Sequence, residues 1–129
     1  MCQLVTGEQV VLKRRRAWKV FGGTPIKPRG VYYTPAGSNM DMLVGSGAPY
    51  KLSKVYSAIP TQHLARTSGG FHVFATQEGA EDYCVDLERW GIGSKCILQV
   101  QVWGQALPFE SDNGHKGWAV ENMLIPARR

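Results

Sequence analysis

One segment of the chain has helical spacing, and segments with the alternation of β-strands lie on both sides of it. Thr76 has the residue type of an N-cap, and apolar residues then recur at helical spacing over residues 77–90. Gly91 predicts the end of this helix. In residues 96–104 valines and leucine alternate with glutamines, which indicates a strand with one buried face. A helix between such strands restricts the chain to folds that pack a helix on a sheet.

Further strand patterns occupy much of the remaining sequence. They cover residues 9–12, 17–21, 29–35, 54–58, 70–75 and 118–126, several of them bounded by Gly or Pro. Residues 36–53 are rich in Gly, Ser, Pro and Met and predict a long loop. Runs of strand around one main helix, about residues 77–90, predict an α+β fold with a mostly antiparallel sheet. We expect a single domain over residues 1–129.

The composition excludes several classes of protein. No apolar run reaches the roughly 18–20 residues of a membrane span, and the apolar residues at the start precede the basic ones, the reverse of a signal peptide. Three cysteines form no paired framework. The three histidines are far apart and have no metal-binding spacing, so no metal site is expected. We therefore expect a cytoplasmic protein with no membrane contact.

The charge of the chain, formally +5, is concentrated in one block of four consecutive basic residues, Lys13, Arg14, Arg15 and Arg16. Such a block attracts phosphates or an acidic protein surface. The alternative is a solvated strand end without a partner. No stacking platform of aromatic residues is expected next to this block, which leaves nucleic acid as a weaker hypothesis for the partner.

Short motifs across most of the chain resemble those of a group of small phage and bacterial proteins of unknown function. The motifs are, in order, "MCQL", "AWKVF", "RGVYY", "GGFHVF", "EGAEDYC" and "ILQVQVWG". The Gly-Phe-His-x-Phe strand is the most specific of them. The resemblance implies the order of elements and a phage or mobile-element origin, and it implies no chemistry.

The second half of the chain also resembles the ADP-ribosyltransferase fold. The segments "GGFHVFAT", "GAEDYC", "CILQVQVWG" and "WAVENMLIP" follow one another as the motifs of that family do. The resemblance implies a split sheet and a transferase that uses NAD. On this mapping His72 stands where the family has the tyrosine that stacks on nicotinamide, and Glu121 stands at the catalytic glutamate. The first family motif has a His or Arg on the opening strand, where this chain offers Lys19.

The resemblance therefore implies a set of candidate site residues. The catalytic candidates are Glu121 and His72, and the cofactor-binding candidates are Lys19, Arg29, Tyr33 and Phe74. Strand alternation puts His72 on the same face as Phe74, so a half-buried structural histidine is the alternative for that residue. Glu121, predicted to share a face with Ala119 and Met123, either faces solvent at a sheet edge or lines a cleft.

These features predict a small binding or accessory protein on a degenerate ADP-ribosyltransferase-like scaffold. A host protein is the candidate partner, and this function requires no cofactor. One alternative is an active NAD-dependent ADP-ribosyltransferase, with NAD as its cofactor. A second is an accessory protein that contacts nucleic acid through Lys13, Arg14, Arg15 and Arg16.

Overall fold

The computed structural model describes residues 4–29, 49–89 and 94–127, and the backbone of residues 32–33 and 38–39. In these residues the elements are β1 (Leu4–Val5), β2 (Val10–Gly23), β3 (Pro28–Arg29), β4 (Tyr32–Tyr33), β5 (Ser38–Asn39), β6 (Val55–Ser57), β7 (Gln62–His63), β8 (Arg66–Thr67), β9 (Phe71–Phe74), α1 (Gln77–Arg89), β10 (Lys95–Glu110) and β11 (Lys116–Leu124). The strand pairs within the described residues are antiparallel. The predicted α+β class with a mostly antiparallel sheet and one main helix is confirmed.

Four strands of the main sheet are joined in a ring of hydrogen-bonded pairs. The two longest strands, β2 and β10, pair along most of the length of β2. Strand β10 also pairs with β11, and β11 pairs with β9. A single residue pair, Trp18 with Phe74, joins β9 back to β2. On the other side, β1 extends the sheet from the end of β10 to the small hairpin β7–β8.

Both faces of the long strands are buried in the centre of the molecule. On one face Ala17 and Phe21 of β2 pack with Val100 of β10 in the larger apolar cluster. On the opposite face Val20 and Phe109 pack with the helix in a second cluster. Because successive residues of a strand point to opposite faces, residues 17–21 are buried on both sides.

The helix α1 forms where the sequence predicts it. The amide of Gly79 donates to the Thr76 Oγ1 at 3.2 Å, which confirms Thr76 as the N-cap. Ala80, Tyr83 and Leu87 are buried against the sheet at helical spacing. The predicted end at Gly91 lies outside the described residues. In the part of the chain that the structure describes, no helix has the length and apolar character needed to cross a membrane.

Several predicted element boundaries are wrong. The two strands predicted over residues 9–12 and 17–21 are one strand, β2, which continues through the basic block. Strand β10 continues past Gly104 to Glu110. The predicted loop 36–53 contains β5, paired with β4, and much of the rest of this loop lies outside the described residues. The small hairpin β7–β8 was not predicted.

Candidate functional site

The first half of β2, residues 10–16, is solvated while the second half is buried. In this half only Leu12 is partly buried, and Val11 is 78% exposed. Burial begins abruptly at Ala17, which is fully buried. We call residues 10–16 the basic edge, because they include all four residues of the basic block.

Two arginines of the basic edge lie over tryptophan rings. The guanidinium carbon of Arg14 is 4.2 Å from the ring centroid of Trp103, and that of Arg15 is 4.4 Å from the ring centroid of Trp118. Both distances are in the range of cation–π contacts. The rings come from β10 and β11, far from the block in sequence.

The backbone of the basic edge is paired on one side. Its partner is β10, with Arg16 opposite Gln101 and Val10 opposite Ala106. On its other side β2 pairs with β9 at Trp18 and with β3 at Gly22 and Gly23, beyond the basic edge. Within the described residues no strand pairs with that side of residues 10–16. Among the described residues this side of the strand is therefore unpaired, and natural proteins commonly protect an unpaired strand edge with charge.

The charges of the four cations of the basic edge are not neutralised by a described carboxylate. No carboxylate among the residues that the structure describes forms an ion pair with Lys13, Arg14, Arg15 or Arg16. The ion pairs Lys95–Glu88 and His115–Asp82 lie elsewhere, at the helix and at the β10–β11 turn. The basic edge is therefore a concentrated positive surface.

His72 is a buried residue of β9. Its ring is 5% exposed, lies 5.9 Å from the ring of Phe109, and has Nε2 at 2.7 Å from the Thr67 Oγ1. Thr67 is itself fully buried on β8. The arrangement matches the structural alternative for His72, because the ring links the small hairpin to the sheet. Thr67 could not be identified from the sequence, since no local pattern marks a threonine as a histidine partner.

The side chain of Lys19 contacts the backbone of His72 on the neighbouring strand. Its side chain is 2% exposed, and its Nζ donates to the His72 carbonyl oxygen at 3.2 Å. The same ammonium lies 5.5 Å from the ring centroid of Phe21. Lys19 therefore joins β2 to β9 inside the sheet, in an interior position for a residue predicted to hold a cofactor.

Glu121 lies at an irregularity between β10 and β11. Its Oε1 accepts the amide of Gln105 at 3.1 Å, and Gly104 has a φ of 94°, which favours glycine. The pairing register shifts between Trp103 and Ala106. Val120 and Met123, three residues apart, pack in the same cluster. The extra residue of the bulge lies in β10, where Gly104 and Gln105 both lie opposite Glu121, and the shared face of Glu121, Met123 and Ile125 stays a prediction.

The register places Glu121 near His72 along the sheet. Ala119 lies opposite His72, and Glu121 follows two residues later on β11. Glu121 is half-exposed and bound to a backbone amide, while the His72 ring contacts Thr67. The two catalytic candidates thus belong to neighbouring strands and have different hydrogen-bond partners.

The other candidates lie apart from this pair. Phe74 is buried between Tyr83 and Phe109 in the second cluster. Arg29 is exposed on β3 at the far end of β2. The side chain of Tyr33 lies outside the described residues. An apolar cavity of about 470 Å³ lies at the β7–β8 hairpin, with Thr67 in its wall and none of the six candidates among its described lining residues.

The other reactive groups among the described residues are the thiols and the side chains that can bind metal. Burial raises the pKa of the Cys84 thiol above its ordinary value, although Lys95 nearby acts in the opposite direction. Within residues 4–29, 49–89 and 94–127, no cluster of His, Cys, Asp and Glu could hold a metal ion. The basic edge therefore remains as the surface with the clearest binding chemistry.

Comparison of the chain with protein-family models, with curated proteins and with solved structures finds no match.

Proposed function

We propose that this chain is a binding protein that recognises an acidic surface of a partner protein through the basic edge. One observation carries the proposal: Arg14 and Arg15 are held over Trp103 and Trp118 while their charges stay unpaired by any described carboxylate. Arg and Trp are the residue types that contribute most to protein interfaces. The resemblance to small phage and bacterial proteins supports a host protein in the cytoplasm as the partner.

The contacts with tryptophan lower the cost of binding. A free arginine side chain loses rotamer entropy when a partner fixes it, about 0.5–1.5 kcal/mol for each immobilised side chain. The indole rings already restrict Arg14 and Arg15, because each guanidinium stacks on a ring that is itself packed in the sheet. A merely solvated strand end would need no such support. The geometry therefore favours a binding surface over the solvated alternative.

The experiment measures binding of an oligoglutamate peptide by the tryptophan fluorescence of the protein. The double substitution Lys13→Glu with Arg16→Glu leaves the stacked pairs intact and should weaken binding by at least about tenfold. Lys27→Glu with Lys51→Glu is the control, since both lysines are exposed away from the basic edge and the net charge changes equally. Binding should also weaken as salt increases.

Two results would contradict the proposal. Equal losses in both double variants would show that net charge, and not the basic edge, attracts the peptide. Tighter binding of oligothymidylate than of oligoglutamate in the same salt would replace the acidic protein with nucleic acid, the second alternative from the sequence.

The rival function is an ADP-ribosyltransferase with the split sheet of that family. Its support is the spacing of Glu121 and His72 on neighbouring strands. The described residues do not fit NAD in this arrangement, because the His72 ring is buried on Thr67 and Phe74 is enclosed by the helix. We derive no reaction step from it. A calorimetric titration with NAD and ADP-ribose, on the wild type and on Glu121→Gln, should show no binding at millimolar ligand.

A further inference from the structure

We infer that the basic edge binds its partner by strand addition: an extended acidic segment pairs with residues 10–16 and lengthens the sheet. This inference rests on the proposed function and specifies how the acidic partner is held. Strand addition requires an unpaired backbone edge and charged side chains that an added strand can reach. It also requires that an acidic strand fits the edge better than other occupants do.

The open backbone edge comes from the pairing of β2. In a strand, N–H and C=O groups point alternately to the two neighbours, so the side of residues 10–16 away from β10 presents a row of donors and acceptors. Trp18, paired with Phe74, marks where that side becomes occupied. The open stretch has a bulge at Lys13 and Arg14, so it spans roughly six strand positions, or about 20 Å at 3.3 Å per residue, which is the length of an ordinary strand.

The charges are placed on both faces of this edge. The pairing of β2 with β10 has a bulge between Leu12 and Arg15, where Lys13 and Arg14 together lie opposite Trp103, so alternation applies to Arg15 and Arg16, which point to opposite faces. The contacts with two different tryptophans agree with this, since Arg14 lies on Trp103 and Arg15 on Trp118. An added strand also alternates, so consecutive acidic residues in it meet cations on both faces.

A second copy of this chain is a poor occupant of the same edge. Pairing two basic edges would place four cations beside four cations, and like charges directly opposite are destabilising. The described edge carries no carboxylate to offset them. Charge complementarity therefore selects a strand rich in Asp and Glu. Val10 and Val11 are both exposed, so the added strand can also have apolar residues next to its acidic ones.

The probe is the peptide Thr-Glu-Glu-Glu-Glu-Val-Val-Thr, written for an antiparallel strand. Its control is the same peptide with the four Glu amides N-methylated, which keeps the charge and removes the backbone donors. Binding to the full chain is followed by tryptophan fluorescence and by amide hydrogen exchange. Methylation should weaken binding at least about tenfold, because the peptide loses the backbone donors that pair with the carbonyl groups of the basic edge. The unmethylated peptide should slow exchange at alternate amides of residues 10–16.

The outcomes separate the mode of binding from the function. Equal affinity of both peptides, with no change in exchange at residues 10–16, would overturn strand addition and leave acidic-partner binding standing. No binding of either peptide, with oligoglutamate also inert, would overturn the proposed function together with this inference. Slowed exchange with the unmethylated peptide alone would support both.

Discussion

The two halves of β2 belong to one continuous strand and have opposite surroundings. In the second half Ala17, Lys19 and Phe21 are buried, and even the lysine has its ammonium on a backbone carbonyl. In the first half four cations point into solvent, two of them stacked on tryptophans. Both halves pair with β10, in one continuous register from Gly22 to Arg15 and with a register shift between Arg15 and Leu12 in the exposed half. The difference lies in what covers their side chains and their second edge.

One strand therefore has two segments with different roles: one stabilises the fold, and the other is exposed for recognition of a partner. The buried half is held by packing on both faces and by β9 on its second edge. The exposed half contributes little packing, because its side chains other than Leu12 are exposed. We expect substitutions in the buried half to lower the free energy of unfolding. Substitutions in the exposed half should weaken binding of the partner and change stability little.

The largest effect is expected for Phe21→Ala in the buried half. Phe21 is fully buried and meets Tyr50 edge-on, with ring centroids 5.4 Å apart. Truncation should lower the free energy of unfolding by about 3–5 kcal/mol because it leaves a cavity. Urea denaturation measures this change. Arg16→Ala in the exposed half is the matched control and should change stability by no more than about 0.5 kcal/mol. Equal effects of the two substitutions would contradict the division of β2.

The next effect is expected for Thr67→Val, which tests the polar support of the strand that covers the buried half. Valine keeps the shape and removes the hydroxyl beside the His72 Nε2. We expect a loss of about 1–3 kcal/mol in the free energy of unfolding, the cost of a buried polar group that loses its partner. Thr67→Ser retains the hydroxyl and should lose less. If valine and serine behave alike, the hydrogen bond contributes nothing and only packing matters at this position.

A smaller effect is expected for the stacked arginines. Arg14→Ala removes the cation from Trp103 and should lower stability by about 0.5–1 kcal/mol, the range for exposed cation–π contacts. The emission of Trp103 should change as its ring becomes more solvated. Arg14→Lys keeps the charge and should retain part of the contact. A loss above about 2 kcal/mol would mean that the exposed half also supports the fold.

The smallest effect concerns Cys84 on the helix that covers the buried half. Because burial raises its pKa, the folded thiol ionises at higher pH than the unfolded one, and the free energy of unfolding should fall as the pH rises past the ordinary thiol pKa. With Cys2→Ser and Cys96→Ala, alkylation of Cys84 near pH 8 should be slower in the folded protein than in urea. Equal rates would place the thiol in solvent.

Local signals in the sequence are enough to predict the helix. The Thr76 cap and the spacing of apolar residues after it depend on neighbours within a few residues, and both are present in the structure. The alternation in residues 96–104 likewise predicts the centre of β10. The α+β class follows from these local elements.

The candidate site depends on contacts that no local pattern contains. Trp103 and Trp118 meet Arg14 and Arg15 only because three strands bring them together. The continuity of β2 could not be predicted, because four consecutive cations show no alternation of apolar and polar residues. The bulge at Gly104, which brings the Gln105 amide to Glu121, had a glycine inside a strand as its only sign in the sequence.

Hydrogen exchange along β2 in the free protein tests the division of this strand most directly. We predict slow exchange at the amides of residues 17–21, the buried half of β2. In residues 10–16, outside the bulge at Lys13 and Arg14, we predict slow exchange at amides that face β10 and fast exchange at those on the open edge. Uniform slow exchange through residues 10–16 would contradict the account, because it would mean that the second side of the basic edge is already occupied and cannot receive a partner.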